Sequence, residues 1–144
     1  MPKKKFSAAE RQFLRRRAHF RCEYCLTPEI VSPVLFEIDH IIPLSKGGTS
    51  EPENLALACG GCNAHKHFHT QWADPKTGRQ SRLFHPRLNQ WTDHFEWSQS
   101  LLFVIGKTPS GRATLELLQL NRPTLLNLRA ILAEFGLHPA QTAI

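Results

Sequence analysis

Nowhere does the chain carry a long apolar run. The longest, Leu101 to Ile105, is far too short to cross a bilayer, so no membrane-spanning segment and no membrane partner are expected. The opening MPKKKF has charge but no apolar stretch behind it, which argues against a secretory signal. Internal repeats and low-complexity tracts are absent. Acidic residues are in short supply, 12 Asp plus Glu against 18 Lys plus Arg. The resulting net charge of +6 and pI near 9.5 suit a polyanionic partner without establishing one. Hydrophobic residues, at 41%, are ordinary for a globular protein and argue against wholesale disorder. A length of 144 residues suits one domain with a buried core.

Cysteine is scarce too, and its four copies all fall in CxxC pairs, Cys22/Cys25 and Cys59/Cys62. Zinc takes four soft ligands in a tetrahedron, and two such knuckles supply them when the chain between folds back. The alternative is four unrelated buried thiols, a poorer account of a pattern that uses every cysteine. The expected site is structural and closed. Cysteines spaced for zinc rather than for disulfides fit a reducing compartment, so a cytoplasmic location is expected.

Along the chain, residues 7–19 read as a helix, with Ser7 and Glu10 at capping-box spacing. Phe13 and Leu14 are candidates for its core side, and Arg11, Arg15, Arg16 and Arg17 for its basic face. That face is either merely solvated or in contact with phosphate. From Val34, VLFEIDHI alternates as a half-buried strand, which puts Asp39 on the same side as Glu37. A loop through Lys46-Gly47-Gly48 leads to a short return strand, Leu55 to Leu57, and a helix opens near Cys62. Asn63 and His67 lie one helical turn apart, a spacing that lets both reach one ion. Beyond residue 72, WTDHFEW and Leu101 to Ile105 suggest a hairpin. Leucines 115, 118 and 120 suggest one helix, and a second is expected from Pro123 to Gly136.

The pieces CxxC, IDHIIPLSKGG, ENLALAC and CNAHK, in that order over residues 22–67, resemble the HNH endonuclease family. The resemblance implies an α+β fold. Its core would be a ββα-metal, treble-clef-like unit stapled by a four-cysteine zinc site, with an N-terminal helix and a C-terminal extension of a hairpin plus two helices. The expected organisation is a single domain over 1–144: a basic helix (1–20), the HNH core (21–72) and an extension packed on it (73–144). LFHPR, HFEW and GRAT resemble the tail of a group of small bacterial HNH proteins and assign no chemistry.

The activity implied is metal-dependent hydrolysis of phosphodiester bonds in DNA, with RNA left open as substrate and monomer or homodimer undecided. Histidine titrates near neutral pH without tuning, so His40 is the expected general base, and Asn54 is expected to orient its loop or ring. A buried structural histidine and a turn-capping asparagine are the bland alternatives. Asp39, Asn63 and, less securely, His67 are the expected ligands of a catalytic divalent ion. Mg²⁺ or Mn²⁺ suits the oxygen donors best, with Ni²⁺ or Zn²⁺ as alternatives. Lys66, Arg15, Arg16 and Arg87 are candidate nucleic-acid contacts, with Arg87, His85 or His94 placed by hypothesis beside the scissile phosphate. The competing class is a zinc-stapled nucleic-acid-binding module, catalytically silent or dependent on a partner.

Overall fold

In the computed structural model, which describes residues 4–140, helix α1 spans Ala8–Arg17. The first three residues of MPKKKF therefore lie outside the described residues. Ser7 Oγ accepts from the Glu10 backbone N–H at 3.1 Å, and Glu10 Oε1 accepts from the Ser7 N–H at 2.9 Å. These two bonds satisfy donors that a bare helix start leaves open. Arg15, Arg16 and Arg17 sit in the last turn, where the helix dipole favours cations. Leu14 is buried but Phe13 is 54% exposed, because consecutive helical residues point about 100° apart.

After the first cysteine knuckle, strand β1 (Glu37–His40) pairs antiparallel with β2 (Leu55–Ala58), Asp39 opposite Ala56 and His40 opposite Leu55. The strand starts later than the alternation from Val34 suggests. The Phe36 N–H is committed at 2.8 Å to the carboxylate of Glu29, not to a ladder, and Val34 and Leu35 are exposed. All four residues of β2 are buried. Its far edge is closed by Glu23, whose backbone N–H donates to Leu57 O while its carboxylate accepts from Leu57 N–H, both at 2.8 Å. Helix α2 (Gly60–Lys66) follows β2 directly, with the Cys59 thiol as its N-terminal cap.

The remaining elements are β3 (Gln71–Ala73), β4 (Gln80–Arg82), α3 (Trp91–His94), β5 (Phe95–Trp97), β6 (Val104–Gly106), α4 (Pro109–Leu118) and α5 (Pro123–Glu134). β3 pairs with β4 and β5 with β6, each antiparallel. Pro109 and Pro123 each stand at a helix start, where a missing N–H costs nothing. One apolar cluster runs from Cys22, Tyr24, Leu57 and Cys62 through Phe84, Trp91 and Phe95 to Leu118 and Leu125. Among the described residues no helix is long and apolar enough to cross a membrane.

Candidate active site and metal centre

The four cysteine sulfurs lie within 4.8 Å of one another, with Cys25 Sγ and Cys59 Sγ 3.7 Å apart. A zinc tetrahedron with bonds near 2.3 Å needs sulfurs about 3.8 Å apart, so the spacing suits the ion. Backbone N–H groups of Cys25 and Cys62 donate to Cys22 Sγ and Cys59 Sγ at 3.5 and 3.4 Å, turning each knuckle inward. Burial pushes the Cys22 thiol up, whereas hydrogen bonds from Cys22 and Cys25 pull Cys59 well down. Four thiolates crowded in this space need a cation among them. The four-cysteine group fits zinc.

A cationic side chain from the far end of the chain faces this cluster. Arg122, the N-cap of α5, brings Nη2 to 3.6 Å from Cys59 Sγ and Nη1 to 3.7 Å from Cys62 Sγ. A Cβ on Gly61 would lie 2.5 Å from Nη2, so only glycine lets the guanidinium approach. Burial is the largest influence on Arg122 and opposes its charge, but Cys62, Cys25 and Cys59 together outweigh it and leave the guanidinium pKa raised. No spacing in the sequence points to this residue.

At the other end of β1, Asp39, His40, Asn63 and His67 line one open cleft with Ile38, Pro43 and Phe68. His40 is half-buried at the strand end, with Nε2 at 3.0 Å from Ser50 Oγ and its ring 6.2 Å from that of Phe6. Behind it, the loop is held by Asn54. The Asn54 side chain accepts from Ile42 N–H at 2.9 Å and donates to Ile42 O at 2.9 Å and Thr49 O at 2.7 Å. Gly48 is required at this point: a Cβ would stand 1.8 Å from Ile42 O. The Asn54 side chain thus holds the loop through its backbone.

Asp39 is 4% exposed. Its Oδ2 accepts from Tyr24 Oη at 2.6 Å, and Lys66 Nζ approaches its two oxygens at 3.2 and 3.3 Å. Burial raises the Asp39 pKa, and the ammonium opposes that rise. Lys66 is itself 1% exposed and donates to His40 O at 3.3 Å and Ile41 O at 3.0 Å. The ammonium expected to meet phosphate therefore lies inside the fold, tying α2 to the end of β1. Tyr24 and Lys66 take at most three of the roughly four acceptor directions of the Asp39 carboxylate, which leaves one for a cation. Asn63 donates its amide N–H to Glu37 at 2.5 Å, a bond that does not use its carbonyl oxygen. His67, at the C-cap of α2, shares the cleft. By donor chemistry, carboxylate, amide oxygen and imidazole suit a divalent ion.

The arginines separate. Arg16 is exposed, whereas Arg15 is bonded to Glu29 at 2.9 Å. Arg87 lies in another recess with Arg17 and Trp91, its guanidinium paired with Glu23 and directed at Leu55 O. Burial lowers its pKa to about 10. His85 and His94 line a different cleft from the one that holds His40. Sequence reasoning also missed Tyr24, Ser50 and Glu23. Of these Glu23 and Tyr24 carried a local signal, as the two interior residues of CEYC.

A family model described as HNH endonuclease matches residues 22–69, about a third of the chain. No curated protein and no solved structure gives a significant match.

Proposed function

We propose, with the HNH family segment at 22–69 as premise, that the protein is a nuclease hydrolysing phosphodiester bonds of DNA, His40 acting as general base. The observation carrying this reading is the support behind His40. It ends β1 at an open cleft, its carbonyl is gripped by buried Lys66, and the loop after it is clamped by Asn54. A base must be held at a fixed aim to take a proton in the transition state. In the proposed step a water oxygen bonds to phosphorus while the bond from phosphorus to the 3′ oxygen breaks. The water proton passes to the His40 imidazole, and the leaving alkoxide takes one from solvent. The ends are a 5′-phosphate and a 3′-hydroxyl. Ser50 Oγ, at 3.0 Å, holds the His40 ring and is a positioning residue, as is Asn54. Held by Asp39, Asn63 and His67, Mg²⁺ or Mn²⁺ would supply positive charge against the phosphate and the leaving oxygen.

A second reading, a nucleic-acid-binding module without catalysis, draws support from the Lys66–Asp39 ion pair, which neutralises the carboxylate that a metal would need. Supercoiled plasmid incubated with purified protein in Mg²⁺, Mn²⁺, Ni²⁺ and Zn²⁺, beside His40→Ala, separates the two. The nuclease reading expects metal-dependent nicking that His40→Ala abolishes. Absence of nicking in every metal favours the binder, and equal nicking by both proteins removes His40 from the role of base.

A further inference from the structure

A second, larger cleft adjoins the one that holds His40. Ile41, Ile42 and Lys46 line it on one side, and Pro43, Leu44 and Ser45 of the same loop line the first cleft. The turn after α2 is divided in the same way, with His67 and Phe68 on the first cleft and His69 on the second. The far wall comes from the extension: Arg82, Leu83, His85 and His94. Its volume is about 640 Å³, within the range of pockets that seat a ligand.

The chemistry of this lining is one-sided. Its ionisable residues are Lys46, Lys66, Arg82, His69, His85 and His94, without one Asp or Glu. Lys66 is spent on Asp39, but Lys46 and Arg82 are exposed, and the ammonium of Lys46 lies 5.2 Å from the ring of Phe68, which lines the first cleft. His85 adds a donor. Its Nδ1 accepts from the backbone N–H groups of Arg87 and Leu88 at 3.2 and 3.3 Å, so its ring proton sits on Nε2. A recess with cationic and N–H donors and no carboxylate suits the oxygens of a phosphodiester.

We propose that this second cleft binds the phosphate backbone of the nucleic-acid strand beside the bond that is cut, with Lys46 and Arg82 as the main contacts. The proposal rests on the nuclease reading for its ligand and deepens it, because it assigns the extension a share of the substrate. A strand lying over the 43–46 loop would meet the His40 cleft on one side and Lys46 and Arg82 on the other.

The test uses the full chain carrying His40→Ala, so that the probe stays intact, and a fluorescein-labelled duplex read by anisotropy over a series of salt concentrations. Lys46→Gln/Arg82→Gln is compared with Lys76→Gln/Arg79→Gln, a charge-matched pair on exposed residues that line neither cleft. Zinc content and circular dichroism confirm that each variant is folded. Two lost phosphate contacts should reduce the slope of log K against log salt by about 1.8 and weaken binding roughly tenfold or more at 0.1 M salt. The control pair should change the slope by less than half as much. Equal effects of the two pairs would reduce the result to net charge and overturn the proposal, as would an unchanged slope in Lys46→Gln/Arg82→Gln. Inorganic phosphate or a mononucleotide competing as well as an unlabelled duplex, phosphate for phosphate, would also overturn it, in favour of a small-anion pocket. Failure of the nuclease reading looks different. Wild-type protein would then bind DNA with a slope sensitive to Lys46 and Arg82, yet cut in no metal.

Discussion

The core around the cysteines and the extension that follows it are held together by different means. Residues 22–66 bury Tyr24, Leu26, Phe36, Ile41, Leu55 and Leu57 together with three of the four cysteines, and Asp39 and Lys66 are buried among them. Polar and sulfur groups add ties to that packing. Sulfur ligands close one end of the β1–β2 hairpin, and the Tyr24–Asp39–Lys66 network closes the other. The extension is aromatic. Phe84, Trp91, Phe95 and Trp97 meet with ring centroids 5.1 to 5.4 Å apart, the Asp74–Arg112 ion pair ties the extension internally, and Arg87 ties it to Glu23 of the core. A short segment gains stability from a structural metal, whose ligands are then held in rigid positions. The extension buries charge as well, at Asp74 and Arg129, but among the described residues it has no sulfur cluster and relies on its rings instead.

The largest way to break this contrast is to remove a sulfur. Cys59→Ser should abolish zinc retention, read by native mass spectrometry, and unfold the core. The extension should lose its near-UV signal as well, because the Trp91 indole N–H donates to Tyr24 O at 2.9 Å and the two regions share one apolar cluster. Survival of that signal would mean that the aromatic half folds alone. Next in size is Lys66→Met, which leaves Asp39 buried without its counter-ion and should cost about 3–5 kcal/mol in urea unfolding at saturating zinc. Adding Asp39→Asn should recover much of the loss; no recovery would show that Lys66 acts through its carbonyl contacts instead.

Arg122→Ala sharpens the comparison, since that side chain belongs to the extension yet faces the thiolates. Zinc affinity, measured by competition with a chromophoric chelator, should fall about 10- to 100-fold. The smallest effect concerns Asp74. The guanidinium of Arg112, at 2.9 Å from each carboxylate oxygen, holds this carboxyl well below the usual range. A depressed folded pKa gives stability that is complete above the ordinary aspartate value near 4 and is lost as pH falls through the folded one. Wild type and Asp74→Asn should accordingly differ by a constant amount above about pH 4 and converge below it. Zinc release in acid is common to both and cancels in the difference.

Much of the core was legible in advance because its signals are local. Each CxxC names two sulfurs of one knuckle, Ser7 and Glu10 announce a helix start, and in the extension Pro123 stands where a helix begins. The His40 neighbourhood was legible through its order of motifs, which the match at 22–69 repeats. The direction each side chain takes was not. Lys66 reads as a surface cation until α2 packs on β1, and only then does its ammonium lie among Asp39 and two carbonyls. Arg87 reads as a phosphate ligand until Glu23 claims it.

Residue type and short-range spacing, written in the chain itself, select which groups can ligate, titrate or begin a helix, since those properties depend on a few neighbours. Which cation meets which anion depends on contacts across long separations. Arg122 and Cys62 stand 60 positions apart, and Lys46 joins Arg82 on one cleft only because a loop and a hairpin fold against each other. No local pattern encodes such a meeting, because it exists only after the packing of the whole has excluded water and set the distances.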